Sequence, residues 1–387
     1  MRNGLLLAVA ALLALFAFAA PAAEAQKKPR VVVGMGDQKP SMFSDPRLPW
    51  LGIRKARIIV PLYVGEKWAS AEEREYVDRW LQAARRNGFE PLVGFSRGSN
   101  GASRIYLPKP REYSSAMAAF RKRWPFVKSF IAWNEANHCS ALTCRAPKRA
   151  AAFYDALVKR CRTCTIVATA VLDSANMVTW LKRFQKAAKN RVKILGLHNY
   201  LDVNRLRMTG TKRLLRAFKG RIWVTETGGL VFRRHYKGQA SFPESEPHAA
   251  KATHWALTKT SRLSRRIERI YLYQWNQDRP DPIWDSGLVD WQGNARQGFR
   301  VLAKFMGRDW RKAPRPPEIT QPPPPPPIQE EPTGEAGPPP QQGSGGGEQP
   351  PPDDGSGGGT PTPALPGCPI PALCPAVGTT GLLALLG

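Results

Sequence analysis

The chain has 387 residues, with 58 Lys and Arg against 30 Asp and Glu, for a formal net charge of +28. Such a charge draws acidic surfaces, anionic glycans and cell-wall polymers among them; no basic motif is interleaved with aromatic residues, so nucleic acid is not an expected partner. The two longest terminal apolar runs, 5–20 and 379–387, are short for a membrane span, so no transmembrane anchor is expected.

At the N-terminus, Arg2 precedes the apolar run, and Ala23-Glu24-Ala25 gives a small-residue cleavage pattern. Residues 1–25 therefore read as a secretory signal peptide cut before Gln26, and the protein as secreted. The other end, 313–387, is dominated by Pro, Gly, Gln, Ser and Glu, with six consecutive prolines at 322–327. It cannot bury enough apolar surface to offset its chain entropy, so a disordered tail is expected, one that could associate with the cell envelope. The folded domain is 27–312. It holds 56 of the basic and 22 of the acidic residues, a net +34. Much of that charge lies in helix-like runs such as 261–269, where a solvated helix face competes with a dedicated anion site.

Within the domain, apolar runs alternate with helical periodicities. The runs are 30–34, 55–63, 89–95, 130–134, 165–172, 192–198, 221–225 and 269–275. Between and after them, apolar residues recur at helical spacing over 71–87, 113–124, 147–159, 174–189, 211–218, 246–264 and 295–306. Eight strands alternating with helices predict an α/β fold, a (β/α)8 TIM barrel. An open doubly wound sheet is the alternative, but no Gly-rich phosphate turn follows the first strand.

In a closed barrel the carboxyl ends of all strands meet on one face, where active sites lie. The fourth run, Phe130-Ile-Ala-Trp, leads straight into Asn134-Glu135. The seventh, Arg221-Ile-Trp-Val-Thr, leads into Glu226 and a glycine pair. A carboxyl at a buried strand tip is costly unless it is paired or used, and two such glutamates are what glycoside hydrolysis requires. The same rule adds His198, Tyr200 and Trp275, and Arg57 within the second strand.

Taken in order, Arg57, Asn134-Glu135, His198-Asn-Tyr200, Glu226 and Trp275 resemble glycoside hydrolase clan A. Cellulase-like family 5 and xylosidase-like family 39 are the relatives it suggests. The segment from Trp284 to Arg296 is similar to the loop entering the last helix of these enzymes, and the resemblance spans about residues 30–309. Ala136 departs from the proline that many members carry after the acid/base glutamate. The resemblance implies a retaining mechanism with Glu135 as acid/base and Glu226 as nucleophile. It also implies that Tyr200 and Arg57 hold Glu226, Asn134 binds the sugar 2-hydroxyl, Trp275 offers a flat face and His198 a polar contact. A polysaccharide or oligosaccharide substrate, a monomer, and no metal or cofactor go with it. Two alternatives are a glycan-binding barrel without turnover and a basic cell-envelope structural protein.

The six cysteines suit an oxidising compartment. Cys139 and Cys144 follow the fourth strand, while Cys161 and Cys164 follow the next helix. A helix of about 14 residues separates the sets by roughly 21 Å, beyond disulfide reach. Local pairs, 139–144 and 161–164, are expected, with Cys368 and Cys374 paired in the tail.

Overall fold

The computed structural model describes residues 31–98, 105–234 and 242–316. The expected signal peptide, nearly all of the tail and the Cys368–Cys374 pair lie outside the described residues.

The strands are β1 (Val32–Gly36), β2 (Lys55–Pro61), β3 (Glu90–Ser96), β4 (Ser129–Ile131), β5 (Thr165–Val167), β6 (Ala170–Leu172), β7 (Ile194–His198), β8 (Arg221–Thr227), β9 (Phe232–Arg233), β10 (Ile267–Tyr273) and β11 (Trp284–Asp285). Nine of them form one parallel sheet in the order β5-β4-β3-β2-β1-β10-β8-β7-β6, and β9 pairs with β11 outside it. The two ends of that sheet, β5 and β6, are halves of one expected strand. Between them Ala168 N–H donates to Ile194 O (2.9 Å) and Ala170 N–H to Trp133 O (3.0 Å). The ring closes through this stretch, and eight staves make the (β/α)8 barrel.

The helices carry their own start and stop signals. In α1 (Ala71–Arg86), Ser70 Oγ accepts the Glu73 N–H at 3.3 Å, two glutamates occupy the first turn and two arginines the last. This arrangement satisfies an orphan donor and complements the helix dipole. Gly88, at φ 69°, takes the left-handed turn that ends it. Helices α2 (Pro110–Arg123) and α3 (Pro147–Arg160) open with proline, whose missing N–H is not needed there. The series continues with α4 (Met177–Ala187), α5 (Tyr200–Asn204), α6 (Thr209–Ala217), α7 (Glu246–Trp255) and α8 (Gln297–Phe305). Of these, all were expected except the five-residue α5; a four-residue helix at Arg47–Trp50 was not expected either. Both internal disulfides, Cys139–Cys144 and Cys161–Cys164, form as expected.

Alternation along each strand sends one set of side chains to the helices and the other into the barrel lumen. In β7, Leu195 and Leu197 join the helix-side core, whereas Ile194 joins Leu92, Ile131, Val167, Ala170, Trp223 and Tyr271 inside. Gly34 makes room there, since a Cβ on it would lie 2.5 Å from the Tyr271 ring. The lower end is closed by the Lys55 to Glu90 ion pair and by the Arg269 guanidinium 3.8 Å over Trp223. The upper end of the lumen is where the polar residues gather.

Candidate active site

Each side chain of the site reaches the lumen for a local reason. Arg57 lies between Ala56 and Ile58, both packed on the helix side, so alternation turns its guanidinium inward. His198 continues the inward phase of Ile194 and Gly196. Glu226 would point the wrong way by strict alternation from Trp223. It is re-aimed by a bulge: Leu197 pairs with Val224 but His198 pairs with Glu226, so Thr225 is skipped. Glu135 is turned in differently. Regular pairing of β4 stops at Ile131, and Glu135 adopts φ 47°, a left-handed conformation uncommon for a non-glycine residue. Its neighbours are fixed by bonds from Asn134 N–H to Phe95 O (2.8 Å) and Ala136 N–H to Ala170 O (2.9 Å).

These residues form one connected cluster. Arg57 donates from Nη1 to Glu226 Oε2 at 2.5 Å and from Nη2 to Asn134 Oδ1 at 2.7 Å. Tyr200 Oη donates to Glu226 Oε1 at 3.0 Å, so both carboxylate oxygens of Glu226 are held. His198 Nε2 lies 3.3 Å from Arg57 Nη2, and its Nδ1 lies 2.9 Å from Glu135 Oε1. A guanidinium has only donors, so Nε2 is the acceptor and Nδ1 carries the proton toward Glu135. Glu135, Glu226 and Arg57 are all buried, at 4%, 3% and 1% exposure, which makes Arg57 the countercharge that Glu226 needs. One oxygen each of Glu135 and Glu226 and a ring nitrogen of His198 all lie within 4.8 Å of one another. Such donors could also share a cation, but it would sit against the Arg57 guanidinium.

The expected residues divide into two groups. Arg57, Asn134, Glu135, His198, Tyr200 and Glu226 come together. Asn134 Nδ2 has no partner among the described residues and is left to donate outward. Trp275 is packed elsewhere: it is 1% exposed, donates from Nε1 to Asp45 Oδ2 (3.0 Å), and sets its ring edge against Phe299. The strand-end residue that β10 sends to the cluster is Tyr273, half-buried beside Tyr200 and Trp284. Burial and the nearby Asp37 and Glu226 carboxylates hold the Tyr273 phenol well above its ordinary range. The inward phase of Arg269 and Tyr271 would have found it, since Tyr273 is the next residue of that phase.

Comparison with known proteins adds the chemistry. Residues 109–297, which include both glutamates, match the family model described as glycosyl hydrolase catalytic core. The barrel is a glycoside hydrolase domain. Among solved structures, this hydrolase is similar to a GH5_18 enzyme from Streptomyces cattleya in complex with GlcNAc, at 14% identity, TM-score 0.51, and coverage of 75% of this chain and 83% of that one. A GH5_18 variant from Bifidobacterium longum in complex with Manb1-4GlcNAc gives 15% identity, TM-score 0.51 and coverages of 73% and 79%. An uncultured Clostridium sp. beta-glucuronidase gives 12% identity and TM-score 0.48, covering 72% of this chain, which spans only 50% of that enzyme's length. No curated protein sequence matches the chain.

The hydrolase fixes Tyr200 through a buried carboxyl pair. Asp173 accepts the N–H groups of Leu201 (3.3 Å) and Asp202 (2.7 Å), capping the short helix α5 that begins with Tyr200. Asp202 in turn accepts from Gly210 N–H, Thr211 N–H and Thr211 Oγ1 at the start of α6. Burial, foremost, and then the Asp202 carboxylate push Asp173 up to about 8, against the backbone donors that favour its anion. A carboxyl in the unfolded chain titrates near ~3.9, so the fold binds this proton more tightly than the unfolded chain does. The contribution to stability is full below that value and is lost as pH rises toward about 8. Asp173→Asn should therefore gain Tm relative to the parent as pH is raised from about 5 to about 9. A Tm difference that stays constant over that range would refute the assignment.

Proposed function

We propose that this hydrolase is a secreted retaining β-glycosidase, cleaving O-glycosidic bonds of a polysaccharide or oligosaccharide by double displacement. The observation that carries the reading is the approach of Glu135 and Glu226, with carboxyl oxygens within 4.8 Å. Retaining enzymes place their carboxyls about 5–5.5 Å apart, whereas inverting enzymes leave roughly 6.5–9.5 Å for a water.

The roles follow from the bonding. Glu226, with Arg57 on one oxygen and Tyr200 on the other, is paired with a cation and aimed, as a nucleophile must be. It attacks the anomeric carbon and forms a glycosyl-enzyme ester as the leaving group departs. Glu135 supplies the proton to the departing oxygen and then takes one from the incoming water. His198 donates its Nδ1 proton to Oε1 of Glu135 and so fixes the orientation of the carboxyl. Asn134, anchored by its carbonyl to Arg57, presents an N–H to a sugar hydroxyl. Tyr273 offers the ring at the cleavage point that had been expected of Trp275. The N-terminal segment, 1–25, supports export, and the Pro/Gly-rich segment 313–387 supports association with the cell envelope.

A panel of aryl β-glycosides identifies an accepted sugar. Proton NMR of the first-formed product should then give the β-anomer, appearing before mutarotation. An α-anomer as first product would overturn the retaining reading.

A further inference from the structure

A second concave surface lies at the opposite end of the barrel, among the segments that enter β7 and β8. It is a cleft of about 760 Å³. Of its lining residues, Lys189, Arg191, Lys193, Lys219, Arg221 and Arg266 are cationic, and none is acidic. The strand β7 separates this cleft from His198, a distance of about 15 Å at ~3.3 Å per residue. A ligand held here does not enter the glutamate site.

The cleft is a built feature. Tyr154 Oη donates to Arg191 O (2.8 Å), and Asp155 accepts the backbone N–H groups of Lys189 (3.0 Å) and Asn190 (2.9 Å). These bonds fix one rim. Arg221 N–H donates to Lys193 O at 3.0 Å and ties the two rims together. Arg266 reaches across to Leu215 O at 2.7 Å and to Phe218 O, closing the end of α6. Its charge therefore serves the fold. Lys189, Arg191, Lys193 and Lys219 are exposed and in no ion pair among the described residues, while Arg221 has Glu268 at 3.7 Å. A neighbouring depression lined by Lys182, Arg213 and Arg216 extends the same field along α4 and α6. Like charges crowded on fixed backbone repel one another, and that repulsion is relieved by a bound polyanion.

We infer that this cleft is a second binding site, taking an acidic, carboxylate-bearing polysaccharide and holding the enzyme on it while the catalytic end stays free. Its only aromatic lining residue, Phe218, is buried at 2% exposure, so it has no stacking platform of the kind single-stranded nucleic acid uses. It presents no large exposed apolar residue for insertion into a membrane. A repeating anion read by charge alone fits what remains. The choice of a polysaccharide over duplex nucleic acid rests on the glycosidase reading of the other end, but the test measures binding and needs no turnover.

Polygalacturonate is the probe and dextran the neutral control, titrated against the full chain. One variant carries Lys189→Ser, Arg191→Ser, Lys193→Ser and Lys219→Ser. A second, with the same change in net charge, carries Arg86→Ser, Lys122→Ser, Lys148→Ser and Lys304→Ser, all exposed and outside the cleft lining. The parent should bind polygalacturonate with an affinity that falls with salt and should ignore dextran. The cleft variant should lose about tenfold or more in affinity with Tm unchanged, and the second variant little. Equal losses in both variants would assign the affinity to the whole surface and overturn the site. Tighter binding of duplex DNA than of polygalacturonate, lost in the cleft variant, would overturn the choice of partner. A parent that does not bind polygalacturonate at all would overturn both.

Discussion

Glu226→Ala should lower turnover of any accepted glycoside by several orders of magnitude, because the covalent intermediate can no longer form. Azide, small enough to enter the vacated space, should then attack the anomeric carbon directly and give a glycosyl azide of inverted configuration. Glu135→Ala should behave differently. It leaves the nucleophile in place, so a substrate with an acidic phenol as leaving group still forms the ester and then stalls for want of a base. The loss should reach about 10²–10⁴-fold, and azide, which needs no base, should rescue the second step with retained configuration. The asymmetry follows from what surrounds each carboxyl: Arg57 and Tyr200 on Glu226, and the neutral His198 on Glu135. Near-native activity in both variants would sink the assignment, and swapped product configurations would reverse the two roles.

The second large effect belongs to Arg57. It is 1% exposed and supplies the donor at 2.5 Å that Glu226 faces inside the lumen. Arg57→Met should destabilise the fold by about 3–5 kcal/mol, since removing one partner leaves an uncompensated buried charge. It should also abolish turnover, because Glu226 would lose the donor that aims its carboxylate. Adding Glu226→Gln to Arg57→Met removes the stranded charge, so the double variant should be more stable than Arg57→Met alone and equally inactive. Denaturant titration of the three proteins measures this. A double variant no more stable than the single one would show that the loss came from packing, not from charge.

The fold was largely legible in the sequence because each stave is a short apolar run ended by Gly, Pro or a polar pair, and buried parallel strands impose that pattern. The local disulfides were readable from helix length alone. Arg57 stood out as a charge between Ala56 and Ile58, a position that alternation turns away from the helices. What escaped depends on contacts distant in sequence. Helix α5 is capped by Asp173, 28 residues upstream of the Leu201 N–H it binds, so nothing local marks its start. The apolar run extends strand β4 to Asn134, whereas its regular pairing stops at Ile131 before the left-handed turn at Glu135. The apolar pattern carries the last stave to Trp275, two residues beyond its observed end at Tyr273, and so displaces the aromatic expectation from the lumen to the helix-side core.

Thr225 gives the seventh stave one more residue than its neighbour β7 can pair. The inward aim of Glu226 is therefore a matter of counting along the strand and owes nothing to the identity of the residue skipped. The two reactive carboxyls arrive by unrelated devices, an inserted residue in one strand and a left-handed turn after the other. A chain that kept Thr225 but paired it regularly with His198 would keep both glutamates and the arginine, yet its Glu226 would face the helices. Comparisons that weigh matching letters above the pairing of the strands would rate such a chain as intact.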